Sequence, residues 1–202
     1  MINKTGSAAN NSFTSSSVNE AFDGGAGLDT VVFSGLRSQY SLSAQGVGGF
    51  RVTDSVAARN DTDTVSGVER LRFSDVSLAL DLDGNAGKVA KILGAIFGPS
   101  SVYNKTYVGI GLGLMDDGMS YEALAALAVS VTGKSSSTDV CTLLWTNVIG
   151  SAPTTADIAP FKAMLDSGQM SIGGLAALAA DTSFNTTNID LVGLSQTGLE
   201  YV

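Results

Sequence analysis

A nine-residue register near the amino end constrains the fold of this chain more than any other feature. Three apolar residues follow one another at intervals of nine, and an oxygen-bearing residue stands two positions before each of them. The apolar residues are Phe13, Phe22 and Val31, and the residues before them are Asn11, Glu20 and Asp29. This period predicts that successive turns of the chain each add one short strand, which packs its apolar side chain inward.

One turn of the register carries the full pattern G-G-x-G-x-D-x-U-x, where U is apolar, over residues 24–32. Its glycines, among them Gly25 and Gly27, allow a tight turn with positive φ that exposes backbone carbonyls, and Asp29 adds a carboxylate. Such oxygens suit Ca²⁺, shared between neighbouring turns. The alternative is a plain glycine loop before a strand over 30–33, because the earlier turns lack the glycines and one full turn does not complete a site.

The composition favours hard cations over nucleic acids as partners. The chain has 202 residues and a formal net charge of −8, whereas binding to a phosphate backbone requires a Lys/Arg surface. It contains no histidine, which excludes the usual zinc ligand and every mechanism built on a Ser–His or Cys–His pair. The single cysteine, Cys141, is expected to be a small buried apolar residue.

We expect neither an amino-terminal signal peptide nor a transmembrane segment. Residues 1–17 are polar and lack an apolar central stretch. No run of residues approaches the roughly 18 apolar positions that a membrane span requires.

The region from residue 36 to 82 alternates as strands do and predicts a β-meander. Strands are expected over 39–44, 49–54, 68–73 and 77–82. In the third of these, Leu71 and Phe73 alternate with Arg70 and Arg72, which is typical of a half-buried strand. Residues 60–64 are expected to form a turn.

Two acid-rich segments offer further cation ligands. Asp61 and Asp63 in the turn either bind an ion or are solvated turn acids. The segment 81–85 is similar to the start of an EF-hand loop, but Asp83 or Asn85 as N-cap of a helix over 88–97 is the simpler interpretation. The predicted metal ligands are Asn11, Glu20, Asp23, Gly25, Gly27, Asp29, Asp61, Asp63, Asp81 and Asp83.

The region from residue 83 onward is rich in Ala, Leu and Gly and contains an internal helical repeat. Residues 115–128 resemble 165–179, with Ser120 and Ser171 where N-caps are expected and Gly118 and Gly168 where helices stop. Two such units stack into a bundle. The aromatic side chains expected to fill its core, or alternatively to form a ligand box, are Tyr103, Tyr107, Trp145, Phe161 and Phe184.

The predicted fold class is therefore α+β. A short β-roll and β-meander occupy residues 1–82, and an all-α bundle built from a tandem repeat occupies residues 83–202.

Residues 19–35 resemble the nonapeptide of the hemolysin-type calcium-binding (RTX) proteins. The segment 61–81, DTDTVSGVERLRFSDVSLALD, is similar to the β segment that often follows such repeats in secreted bacterial proteins. The helical part is similar to a tandem domain of unassigned function at the carboxyl end of many RTX proteins. The resemblance implies Ca²⁺ as cofactor, export through type I secretion machinery with an uncleaved carboxyl-terminal signal, and folding outside the cell.

Three hypotheses about function remain. The first is a calcium-binding extracellular structural or adhesive protein, without enzyme activity, that self-assembles or binds a cell-surface or matrix partner. The second is an export and folding module whose cargo is almost absent. The third is a secreted hydrolase, for which a carboxylate pair is the only common route without histidine. The remaining alternative is a small-ligand binding module built on the helical repeat.

Overall fold

The structure, a computed structural model, describes residues 1–46 and 48–202 and divides the chain into two compact units. Unit 1 contains residues 1–82 and 193–202, and unit 2 contains residues 83–192. Unit 1 carries the strands and unit 2 most of the helices, so the fold class is α+β, as predicted. Residues 193–202, expected with the helices, belong to unit 1 because strand β10 (Leu199–Tyr201) pairs with β9 (Ser77–Ala79).

Ten strands form two five-stranded sheets in the described part of the chain. The remaining strands are β1 (Ile2–Thr5), β2 (Ser12–Thr14), β3 (Glu20–Asp23), β4 (Thr30–Val32), β5 (Tyr40–Ala44), β6 (Gly49–Asp54), β7 (Thr62–Ser66) and β8 (Arg70–Arg72). The first sheet has the order β1-β3-β7-β6-β5 and the second the order β10-β9-β8-β4-β2.

The first four strands alternate between the two sheets. Strand β1 pairs in parallel with β3, with Ile2 opposite Glu20, and β2 pairs in parallel with β4, with Ser12 opposite Thr30. Paired residues are thus 18 positions apart, which is twice the nine-residue period. Strands β7 and β8 then extend the same parallel ladders beside β3 and β4.

The core of unit 1 lies between the two sheets, because both contribute buried apolar side chains to one cluster. Phe22 and Val31 are fully buried there and Phe13 packs against them, which confirms the predicted inward positions. The meander also contributes as predicted, since Phe50 and Val52 are buried.

The prediction for residues 60–64 was wrong beyond Asp61. Strand β7 begins at Thr62 and places Asp63 and Val65 on the buried face. The prediction of a half-buried β8 was also wrong in one respect: Arg70 is buried, because its guanidinium forms an ion pair with Asp81.

Unit 2 is helical. Its helices are α1 (Asn85–Phe97), α2 (Lys105–Asp116), α3 (Tyr121–Val131), α4 (Ser137–Ile149), α5 (Thr155–Asp166), α6 (Ile172–Ala180) and α7 (Ser183–Asn188), and α8 (Leu191–Thr197) spans the junction with the last ten residues. The first six fall into two sets of three, with lengths of 13, 12 and 11 residues and of 13, 12 and 9 residues. A tandem repeat stays a prediction.

Helix ends were partly predictable. Ser120 and Ser171 cap α3 and α6 by accepting backbone N–H bonds, and Gly118 and Gly168 follow α2 and α5 with positive φ, as predicted. At α1 the prediction was wrong. Gly84 is the N-cap and no side chain caps the helix, so neither Asp83 nor Asn85 has that role.

The aromatic residues do not fill the core of unit 2 as predicted. Tyr103 is 70% exposed and Phe184 is 62% exposed, and Tyr107 is also exposed. The fully buried positions are aliphatic or small, such as Ala125 and Ala176, while Trp145 and Phe161 are partly buried. Within the described residues, no helix has the length and apolar character needed to cross a membrane.

Candidate metal centre

Three turns stack at one edge of unit 1. The backbone N–H of Asn11 donates to Asp29 Oδ1 at 2.6 Å, and the N–H of Asp29 donates to Glu69 Oε2 at 2.7 Å. Asn11 Oδ1 in turn accepts from the N–H of Ser7 at 2.6 Å. The side chains of Asp29 and Glu69 thus link neighbouring turns, and that of Asn11 binds the backbone of its own turn. We call Gly6, Asn11, Gly24, Asp29, Gly67 and Glu69 the glycine-turn cluster.

The sheet register places the three polar side chains of this cluster in line. Phe13, Val31 and Leu71 are successive partners in β2, β4 and β8. Asn11, Asp29 and Glu69 each stand two residues before one of them. The parallel pairing therefore brings the three residues to the same edge.

Because glycine has no Cβ, oxygen atoms can approach Gly6 and Gly24 closely in the cluster. A Cβ on Gly6 would lie 2.1 Å from the carbonyl oxygen of Gly24 and 2.4 Å from Asn11 Oδ1. A Cβ on Gly24 would lie 1.9 Å from the carbonyl oxygen of Gly67 and 2.7 Å from Asp29 Oδ2. The arrangement recurs after 18 residues, so oxygen atoms converge at two similar points, one beside Gly6 and one beside Gly24.

Asp29 has an unsatisfied oxygen at the second of these points. The residue is 0% exposed, and its Oδ2 atom is buried without a hydrogen-bond partner. A buried carboxylate oxygen with no partner is costly, since it has lost its water without replacement.

The electrostatics of the cluster are also unbalanced. Burial raises the pKa of the Glu69 carboxyl, and the nearby negative charges of Asp29 and Asp81 act in the same direction. In the described part of the chain, no Lys or Arg side chain forms an ion pair with Asp29 or Glu69. A cation at this edge would relieve both the repulsion and the desolvation.

The donor set decides which cation fits. All the converging atoms are oxygens, from carboxylates, an amide side chain and glycine carbonyls, and hard cations such as Ca²⁺ prefer such ligands. Among the described residues, no three His, Cys, Asp or Glu side chains come together as a metal site. A cation at the cluster would therefore depend on the backbone and Asn11 as much as on the two acids.

A second acidic pair lies at a different set of turns. Asp63 accepts from Ser15 Oγ at 2.6 Å and from the backbone N–H of Glu20 at 2.8 Å, and both acids are buried. Burial raises the pKa of Asp63 to about 6. Burial also acts to raise the pKa of Glu20, but the hydrogen bonds from Lys4 and Ser16 outweigh it and the pKa lies below its usual value. Lys4 Nζ is 2.6 Å from Glu20 Oε1.

The other residues predicted as ligands lie in four places. Gly25 and Gly27 shape the 24–29 turn, with φ of 92° and 124°, and Asp23 ends β3 with an exposed side chain. Asp61 is exposed in the turn before β7 and Asp83 is exposed before α1. Asp81 pairs with Arg70. Of the ten, Asn11 and Asp29 meet in the glycine-turn cluster, where the Gly25 carbonyl oxygen and Asp23 Oδ1 also lie near Gly67. Glu20 and Asp63 meet beside Lys4.

Gly6, Gly67 and Glu69 were not predicted. Their signal is weak but present: Glu69 stands two positions before the buried Leu71, as Asp29 does before Val31. The inserted meander separates the two turns by 40 residues and so hides the nine-residue period.

Unit 2 has two apolar grooves. One, of about 130 Å³, lies between α1, α2 and α3, and the other, of about 290 Å³, is lined by α4, α5, α6 and α7. Trp145 and Phe161 line the larger groove together with Cys141, which is buried as predicted. Among the described residues, the linings offer no charged side chain that would orient a ligand.

No known protein family matches this sequence, and no curated protein matches it either.

Proposed function

We propose that this chain is a calcium-binding protein in which the ion completes unit 1 at the glycine-turn cluster, and that it serves outside the cell as a structural or adhesive component. The buried, unpartnered Oδ2 of Asp29 beside the glycine carbonyls carries the proposal. A neutral hydrogen-bond donor would satisfy that atom, but it would leave the charges of Asp29 and Glu69 uncompensated.

The residues that would hold the ion come from turns that are distant in sequence. Asp29 and the carbonyl of Gly67 lie beside Gly24, and Asn11 and the carbonyl of Gly24 lie beside Gly6. A bound Ca²⁺ supplies two positive charges and accepts several oxygen ligands at once. It would therefore tie the turns together, and its binding free energy would add to the free energy of unfolding.

The extracellular part of the proposal rests on the resemblance of residues 24–32 to the RTX nonapeptide. Proteins of that kind leave the cell unfolded through type I secretion and fold in the calcium-rich medium outside. A chain with net charge −8 and a cation-dependent turn cluster suits that route, because the acids repel one another until the cation arrives.

The test is calcium titration with Asp29→Asn. Asparagine keeps an oxygen to accept from the N–H of Asn11 but removes the charge and one carboxylate oxygen. We expect the parent to bind Ca²⁺ in a calorimetric titration and to gain about 2.7 kcal/mol of stability at a calcium concentration 100 times its Kd. The Asp29→Asn protein should lose most of this gain while remaining folded in chelator.

The matched control is Asp61→Asn, which removes the same charge from a predicted ligand that lies outside the cluster. Asparagine tolerates the positive φ of 55° at this position. This variant should respond to calcium as the parent does. A parent protein whose melting temperature is the same in calcium and in chelator would refute the proposal.

A further inference from the structure

Lys4 joins the end strands of the two sheets. It belongs to β1, the edge strand of the first sheet, and its Nζ atom donates to the carbonyl oxygen of Thr14 in β2, the edge strand of the second, at 2.8 Å. The side chain points inward, and its ammonium lies 5.1 Å from the centre of the Phe22 ring. Lys4 therefore spans the open end of the core between the sheets.

The carbonyl of Thr14 is one of the groups that an added strand would need. The backbone groups of Ser15 and Asn11 bond with Val32 and Thr30 of β4. In a parallel ladder, alternate residues bond to the same neighbour, so Phe13 faces β4 while the backbone groups of Thr14 face away from it. Lys4 occupies this outward acceptor, which leaves the edge of β2 partly closed.

Lys4 also pairs with one of two buried acids at this end. Glu20 is 1% exposed and Asp63 is 0% exposed, and the ammonium of Lys4 is the cation in contact with Glu20. The glycine-turn cluster has no such lysine among the described residues. The end of the sheets formed by β1 and β2 thus carries its own cation, whereas the proposed calcium site would take its cation from solution.

We infer that Lys4 closes the β1/β2 end of unit 1 against a second copy of this chain, and that without its charge this end becomes a surface where two copies pair through their edge strands. Exposed strand edges are templates for pairing, and an inward-pointing charge is one means of blocking them. Pairing of two parent copies would desolvate two ammonium groups, each 31% exposed, close to one another.

The experiment compares two double variants, each of which lacks one lysine at a different position. Lys4→Met with Glu20→Gln removes the ammonium together with the acid that would otherwise be buried without a partner. Lys134→Met with Glu20→Gln makes the same change in net charge but removes a lysine from an exposed loop. All proteins are kept in chelator, so that the result does not depend on the proposed calcium site, and are measured by sedimentation equilibrium and far-UV circular dichroism.

For Lys4→Met with Glu20→Gln, we expect the same circular dichroism spectrum as the parent. Its apparent mass should rise with protein concentration from that of one chain, 20.5 kDa, towards twice that value, and should exceed the apparent mass of the parent at the same concentration. The Lys134→Met control should match the parent at every concentration. A folded Lys4→Met double variant that sediments as the parent does would overturn the inference. Loss of its native spectrum would overturn it too, because Lys4 would then be required for folding itself.

Discussion

Replacing Asp63 by Asn tests the account of the buried acids in unit 1. The carboxylate of Asp63 accepts from Ser15 Oγ and from the N–H of Glu20, in a site with 0% exposure. Asparagine is nearly isosteric. Its oxygen can accept from Glu20, and its amide group can donate to Ser15 Oγ, which also accepts. The substitution therefore removes a buried charge while it preserves both contacts.

The size of the effect follows from the pKa of Asp63, which burial raises to about 6 from an ordinary value of about 3.9. Between these two values the folded state binds the proton more tightly than the unfolded state, so this group's contribution to stability falls as the pH rises from about 4 to about 6. A difference of about 2 units corresponds to about 3 kcal/mol. Asp63→Asn should thus be more stable than the parent by up to about 3 kcal/mol at pH 7, and by almost nothing at pH 3.5.

The assay is urea unfolding of both proteins in chelator across this pH range. Glu20 titrates nearby with the opposite sign, since its pKa is lowered, but it is present in both proteins and its contribution largely cancels in the difference. A difference in unfolding free energy that is the same at pH 3.5 and pH 7 would refute the reasoning. So would a large loss of stability in Asp63→Asn at pH 7.

Two further predictions concern a helix contact and the metal centre. Gly94→Ala should lower the free energy of unfolding by about 1–3 kcal/mol, because a Cβ there would lie 2.3 Å from Ile189 Cγ2. Gly113→Ala, in open space on α2, should raise the free energy of unfolding by up to about 1 kcal/mol. Urea unfolding midpoints of the two variants and the parent provide the comparison. Glu69→Gln should weaken calcium binding about tenfold or more by calorimetry, since it removes one of two carboxylates, and an unchanged Kd would exclude Glu69 from the site.

The alternation of apolar and polar residues along the sequence was sufficient to predict much of unit 1. In β6 the buried residues Phe50 and Val52 alternate with polar ones, and the strand has the predicted bounds. Strand β7 was not predicted because one of its inward-facing residues is an acid, which interrupts the apolar alternation. Asp63 is tolerable there only because Ser15 and Glu20 donate to it, and these partners are 48 and 43 residues away in sequence.

The same reason explains which part of the candidate site was predictable. Asn11 and Asp29 follow from a period of nine that is visible in consecutive residues. Gly67 and Glu69 join them only after a meander has intervened, so a fixed period does not identify them. In unit 2 the caps at Ser120 and Ser171 were predictable because they depend on residues three positions away, whereas ring burial depends on helix spacing.

The inserted meander also bears on how unit 1 forms. Strands β1 and β2 pair with partners 18 positions along the chain, while β4 with β8 and β3 with β7 join residues 40 and 43 positions apart. The entropy of loop closure makes the longer connection costlier by about 0.7 kcal/mol if the intervening chain is flexible. Antiparallel hairpins between neighbouring strands shorten that effective loop. Folding speed should therefore respond more to changes in the turns of the meander than to changes in the glycine turns.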